Sequence, residues 1–186
     1  MKTMRSVIAG AVGAGKSTFV RTISERNVIE TDCNATDITT LLKKETTVAL
    51  DFGRVRLNPD MDLHIYGTPG QSRFDFMWDI LIKHSHSYVL LVAAHRPENF
   101  SYTREIISFI NQRVQIPMIV GLTHTDCPGA LAPEEIISAL GYNMNDKNRP
   151  PVLNVNPTDR SSVLEALVLL MGLVTSQSDV KLSQTP

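Results

Sequence analysis

Apolar runs alternate with helix-spaced patterns along this chain of 186 residues. Residues 5–9 form a short apolar run that predicts a buried strand. Residues 17–26 place Phe19, Val20 and Ile23 at helical spacing. Residues 30–46 are polar, rich in Thr and Asp and without a period, which predicts a long loop, a kind that is usually functional inside a compact domain. Residues 48–57 alternate as a strand, Asn58, Pro59 and Asp60 make a turn, and residues 63–66 continue as a second strand. So short a connection predicts an antiparallel hairpin.

Further along, residues 74–84 read as a helix with Phe74, Met77, Trp78 and Leu81 on one face. Residues 88–94 are almost continuously apolar, as in a strand covered on both faces. Helices are predicted at 99–113, at 133–140 with Pro133 in the first turn, and at 159–174 with a strongly amphipathic pattern. Strands are predicted at 118–122 and 152–155, and the polar residues 175–186 read as a flexible tail. Alternating strands and helices imply an α/β fold with a mostly parallel sheet. No internal repeat or linker divides it, so one domain is expected over residues 1–174.

Composition changes this picture little. The chain is 42% hydrophobic and 20% charged, ordinary values for a globular domain. A net charge of -1 gives no electrostatic reason to expect nucleic acid or an anionic membrane as partner. Cys33 and Cys127 form no metal-ligand pair and read as free thiols. His64, His84, His86 and His95 are not spaced as a metal cluster. No signal peptide, membrane span or lipid-anchor motif is read, and a cytoplasmic protein is expected.

Candidate chemistry begins at Gly10-Ala11-Val12-Gly13-Ala14-Gly15-Lys16-Ser17, which matches the phosphate-binding pattern G-x-x-x-x-G-K-[ST]. Gly10, Gly13 and Gly15 allow the backbone to curl its N–H groups around phosphate oxygens. Lys16 supplies charge to the terminal phosphates, and the Ser17 hydroxyl can ligate Mg²⁺. Ala14 and Thr18 complete the loop and the start of a helix whose N-terminus faces the anion. Further on come Gly67-Thr68-Pro69-Gly70-Gln71 with Phe74, and Thr123-His124-Thr125-Asp126 after a strand.

Together these motifs resemble the small Ras-like GTPases, within the P-loop NTPases, over residues 4–174. The pattern is most similar to the bacterial branch that includes the gliding-motility polarity GTPases. The resemblance implies that Thr47, or its neighbour Thr46, is the threonine that senses Mg²⁺ and the γ-phosphate. It implies that the Gly70 N–H meets the γ-phosphate and that Gln71 orients the attacking water. Read without it, Gln71 is a solvated turn residue and the two threonines merely open a strand.

Two positions depart from the family. Gly67 stands where an aspartate usually holds Mg²⁺ through water, which leaves the metal to Ser17, Thr47, phosphates and water. Thr46 stands where the polarity branch has an arginine, so a slow intrinsic rate is expected; Arg73 is a substitute or a surface charge. Thr123 to Asp126 resembles the base-reading Asn-Lys-x-Asp motif. Asp126 there accepts from guanine N1–H and the 2-amino group, which adenine lacks; its plain alternative is a loop turn. His124 would cover the base in place of lysine, and Thr123 replaces the asparagine that ties this loop to the phosphate loop. Asn156, Pro157 and Thr158 fall where the family's backbone meets the guanine oxygen.

The expected fold is therefore a Ras-like α/β domain. It has a six-stranded, mostly parallel sheet, one antiparallel hairpin strand and helices on both faces, with the ligand at the carboxyl ends of the strands. The expected function is a molecular switch that binds GTP or GDP with Mg²⁺ and hydrolyses GTP slowly. By resemblance, a roadblock/longin-type protein would activate it, and an effector of unknown kind would read it. Two alternatives are a nucleotide-binding scaffold with negligible turnover and a P-loop kinase using ATP.

Overall fold

Seven consecutive buried residues, Ser87–Ala93, form one of two central strands of a sheet with helices packed against both faces. The computed structural model describes residues 2–24, 51–68, 75–143, 145–147 and 149–182. In chain order the strands are β1 (Lys2–Ala9), β2 (Asp51–Asn58), β3 (Met61–Gly67), β4 (Ser87–Ala93), β5 (Met118–Thr123) and β6 (Val152–Asn154). The helices are α1 (Lys16–Ile23), α2 (Asp75–Lys83), α3 (Phe100–Asn111), α4 (Pro133–Ala139) and α5 (Arg160–Leu182). The sheet order is β2-β3-β1-β4-β5-β6. Only β2 runs antiparallel to its neighbour; the other pairings are parallel.

Alternation along each strand divides the core in two. Val7, Tyr88, Leu90, Val92, Val120 and Leu122 point to the face covered by α2, α3 and α4. Ile8, Val89, Leu91 and Ile119 point to the face covered by α1 and α5. There Phe19, Val20 and Ile23 from α1 meet Val163, Ala166, Leu167 and Leu170 from α5, spacings that put each set on one helical stripe. Fully burying each such side chain contributes about 1.5–3 kcal/mol, so this face fixes α1 firmly against the strand ends. Arg160 joins the two helices by donating to the Thr22 and Ile23 carbonyls at 3.2 and 3.3 Å, satisfying acceptors that α1 leaves open at its C-terminus.

The elements fall close to the sequence expectations, with one correction. Helix α5 continues through Leu182, so residues 175–182 are helical where a flexible tail is expected. No Gly or Pro interrupts that stretch. The Thr175 and Ser176 hydroxyls fold back onto the Gly172 carbonyl, each at 2.9 Å, which satisfies these polar side chains without leaving the helix. The expected loop at 30–46, the first residues of the strand expected at 48–57, and the segment 69–74 lie outside the described residues. So do Cys33, Thr46, Thr47, Gly70, Gln71, Arg73 and Phe74.

Candidate nucleotide-binding site

The loop between β1 and α1 lies at the carboxyl end of a central strand, where open α/β sheets bind ligands. Gly13 and Gly15 have φ of 80° and 93°, a left-handed backbone that glycine adopts without strain. Space demands glycine as well. A Cβ on Gly15 would lie 2.8 Å from the Pro157 ring. Helix α1 begins at Lys16 immediately after Gly15, so the N–H groups of Lys16, Ser17 and Thr18 have no acceptor within the helix. The arrangement presents backbone donors and the positive end of a helix to an anion.

Lys16 is buried and curls back over the loop, its ammonium donating to the Gly10 and Ala11 carbonyls at 2.8 Å each. Burial pulls its pKa down to about 8, and the Asp51 carboxylate opposes part of that fall. A buried ammonium held by two carbonyls is a charge waiting for a stronger acceptor, and a polyphosphate is one.

Asp51 is a residue that the sequence reading missed. The Ser17 hydroxyl donates to Asp51 Oδ2. Asp51 opens β2 and pairs directly across from Gly67 on β3, so both positions face α1. A Cβ on Gly67 would lie 2.9 Å from Asp51 Cβ, so the aspartate occupies the room that the glycine leaves. Position 67 has no carboxylate, and the one beside Ser17 is Asp51. The group comes from the neighbouring strand, re-aimed by a register shift between Arg56 and Asn58.

The base-side loop begins where β5 ends. Thr123 is buried, and its hydroxyl donates to the Ala14 carbonyl at 3.1 Å, with the Val92 carbonyl at 3.4 Å. Thr123 thus ties this loop to the phosphate loop. Its single hydroxyl proton is committed to carbonyls, so the 2.9 Å contact with His124 assigns a proton to His124 Nδ1. His124 has φ 56° and its ring lies 4.8 Å from that of His95. Burial first, then the charges of His95 and Arg96, hold the His124 pKa below its ordinary value against the pull of Asp126.

Beside this loop lies a cavity of about 650 Å³, a size suited to a small ligand. Gly15, Thr18, His124, Asp126, Asn156 and Pro157 line it, together with Thr158, Asp159 and Ser162. Asp126 and the phosphate loop, far apart in sequence, thus open on one space. The loop after β6 presents itself differently from the resemblance. Pro157 has no N–H, the Asn156 N–H donates to Ser162 Oγ, and the Thr158 N–H donates to Asn156 Oδ1, both at 3.0 Å. These N–H groups are engaged within the loop and are not presented to a base oxygen. Pro157 instead accepts from the Thr22 hydroxyl at 2.6 Å, fastening the loop to α1.

Arg96 is a second residue without a local sequence signal. It follows β4, and its Nη1 lies 2.7 Å from where a Cβ on Gly13 would stand, so its guanidinium flanks the phosphate loop. Thr68, just beyond β3, donates its N–H to the Ile8 carbonyl at 3.0 Å and fixes the entry to the segment containing Gly70 and Gln71. Cys127 is a free thiol. Among the described residues, no group of three or more His, Cys, Asp and Glu could hold a metal ion without a ligand's help. Nor is any described helix long and apolar enough to cross a membrane.

Comparison with known proteins agrees with this architecture. The structure of the Arl6 BBS3 small GTPase from Trypanosoma brucei, with the nucleotide analogue GppNp bound, superposes with a TM-score of 0.71 at 13% identity. The match covers 95% of this chain and 99% of that one, so the two share the Ras-like fold. An uncharacterized protein of Methanocaldococcus jannaschii, MJ1339, is 25% identical over 123 residues, 66% of this chain and 71% of the other. A sequence model of the family described as "Conserved hypothetical ATP binding protein" matches residues 25–167, beginning just past α1. By that match, over well more than half of its length, the chain belongs to this family of conserved hypothetical ATP binding proteins.

Proposed function

We propose that this protein is a guanine-nucleotide switch of the cytoplasm, binding GTP and GDP with Mg²⁺ and hydrolysing GTP slowly. The observation that carries the reading is the convergence of Gly15 and Thr18, which flank Lys16 and Ser17 in the chain, with Asp126 around one space at the strand ends. The phosphates would lie on the N-terminus of α1, with Lys16 exchanging its loop carbonyls for phosphate oxygens. The base would lie against His124, with Asp126 accepting from N1–H and the 2-amino group.

The chemistry of the site fits Mg²⁺. The Ser17 hydroxyl and a carboxylate lie together, and this ion takes few protein oxygens, completing its shell with phosphates and water. When bound it would neutralise charge on the phosphates. Thr47 and Gly70 would respond to the γ-phosphate, and its loss would release their segments. Gln71 would orient water, and with Thr46 in place of an arginine the rate would be low until a partner of the roadblock/longin type acts. An effector would read the GTP state.

A second reading, an adenine nucleotide, is favoured by two observations. The family description names ATP, and the loop at Asn156, Pro157 and Thr158 presents no backbone N–H to a base oxygen. Equilibrium titration with GTP, ATP and XTP separates the readings. GTP is expected to bind at least about 100-fold more tightly than ATP, because adenine offers no donor to the Asp126 carboxylate and would cover it unpaired. Asp126→Asn should shift preference towards XTP. Equal affinity for GTP and ATP would overturn the guanine reading and leave an ATP-binding P-loop protein.

A further inference from the structure

We propose that Arg96 contacts the phosphates of the bound nucleotide, its guanidinium lying against Gly13 and neutralising charge that builds there during hydrolysis. The inference rests on the nucleotide-binding reading above and deepens it. Arg96 leaves β4 in a closed turn. Its N–H donates to the Ala93 carbonyl and its own carbonyl accepts from the Asn99 N–H, both at 3.1 Å. β4 runs beside β1, whose end feeds the phosphate loop, so the side chain starts towards that loop from a fixed point.

Around a Cβ placed on Gly13, Arg96 Nη1, Cζ and Nη2 lie at 2.7, 3.3 and 3.8 Å, so the fork fills the room that this glycine leaves. Among the described residues no carboxylate pairs with it. Its side chain donates from Nε to His95 Nε2 at 3.2 Å, which orients the fork and, among the described residues, leaves the Nη donors uncommitted. Lys16 and the N-terminus of α1 already make this turn of chain positive. A third positive group beside them is unfavourable until an anion with several charges joins them. A guanidinium also spans two phosphate oxygens, which a single ammonium does not. In hydrolysis the water oxygen bonds to the γ-phosphorus as the bond to the bridging oxygen breaks. The electron pair leaves with the diphosphate, the water's protons pass to the released phosphate, and the phosphate oxygens carry the shifting negative charge. Arg96 would supply from β4 the cation that Thr46 does not. Its exposure to solvent weakens that field, in keeping with slow turnover.

The test compares the native protein with Arg96→Ala and Arg96→Gln, measuring GTP affinity and single-turnover hydrolysis with Mg²⁺. Arg96 is exposed, so both variants should fold, which circular dichroism checks. Each should bind GTP about tenfold more weakly and hydrolyse it about 10–100-fold more slowly, less than the loss of a buried donor would cost. Millimolar guanidinium, far below denaturing concentrations, should restore part of the rate to Arg96→Ala. The glutamine keeps a donor for His95 and removes the charge. An Arg96→Gln variant that matches the native protein therefore overturns the proposal and leaves Arg96 a brace for His95. Unchanged affinity and rate in both variants overturn it too, as does a lost rate that guanidinium fails to restore. Where native turnover is too slow to measure, an affinity unchanged in both variants is enough to overturn it. Absence of nucleotide binding by the native protein would instead defeat the underlying functional reading.

Discussion

The Thr123 hydroxyl lies 3.1 Å from the Ala14 carbonyl and so joins the loop that carries Asp126 to the loop that would cradle phosphates. A threonine thereby does the work of the asparagine found in the GTPases that this sequence resembles, using a shorter side chain from the buried end of β5. Thr123→Val keeps the shape and deletes the hydroxyl, leaving the Ala14 carbonyl and His124 Nδ1 without this partner. The expected loss is about 1–2 kcal/mol of stability, read by urea unfolding. Nucleotide affinity should fall about tenfold as the two loops uncouple. Thr123→Ser should stay near the native value on both counts. A valine variant with unchanged stability and affinity would show that the tie carries no energy.

Lys16 gives the site a pH dependence whose sign follows from its burial. Its folded pKa, about 8, lies below the ordinary value of 10.5. Below about pH 8 the lysine is charged in both folded and unfolded chains, and the cost of burying the charge, about 3 kcal/mol, is fully present. Between about pH 8 and 10.5 the native state releases its proton first, so this group makes the nucleotide-free protein more stable as pH rises. A polyphosphate reverses the preference by favouring the ammonium. Binding near pH 8.5 should therefore take up a proton, and affinity should decline by up to about tenfold per pH unit above 8. Calorimetry in buffers of different ionisation enthalpy measures that uptake. Lys16→Ala should abolish both the uptake and the binding while the chain stays folded. Heats independent of the buffer would remove Lys16 from the phosphate contact.

The parts of this molecule legible in the sequence are those encoded by local pattern. Six of the seven buried residues of β4 follow from one continuous apolar run, and the phosphate loop follows from its glycines, Lys16 and Ser17. Residues brought to the site by register are not legible in this way. A hairpin continued from the Asn58–Met61 pair without a shift would set Asp51 opposite Thr68, pointing to the other face of the sheet. The irregularity at Leu57 turns it towards Ser17, and nothing in the β2 sequence announces that. Arg96 is similar, since its approach to Gly13 depends on β1 and β4 lying side by side. Thr123 illustrates the opposite case: its place in the motif is visible, but its tie to Ala14 emerges only from the depth at which β5 ends.

Catalysis is expected to depend on Gln71, three residues beyond Thr68. The Thr68 N–H and hydroxyl both donate to the Ile8 carbonyl, at 3.0 and 3.3 Å, so the chain leaves β3 beside the strand that feeds the phosphate loop. Three residues of extended chain span at most about 11 Å, a length compatible with the role expected of Gln71. A glutamine that orients water contributes in the transition state, whereas ground-state binding rests on the phosphate loop and the base contacts. Gln71→Leu should therefore suppress single-turnover GTP hydrolysis by about tenfold or more and leave GTP affinity within about twofold. The contrast should be largest with an activating partner, because the native chain has Thr46 where an arginine would speed the reaction. Equal rates for variant and native protein under both conditions would exclude Gln71 from the chemistry. The nucleotide-dependent scaffold would then become the better description of the molecule.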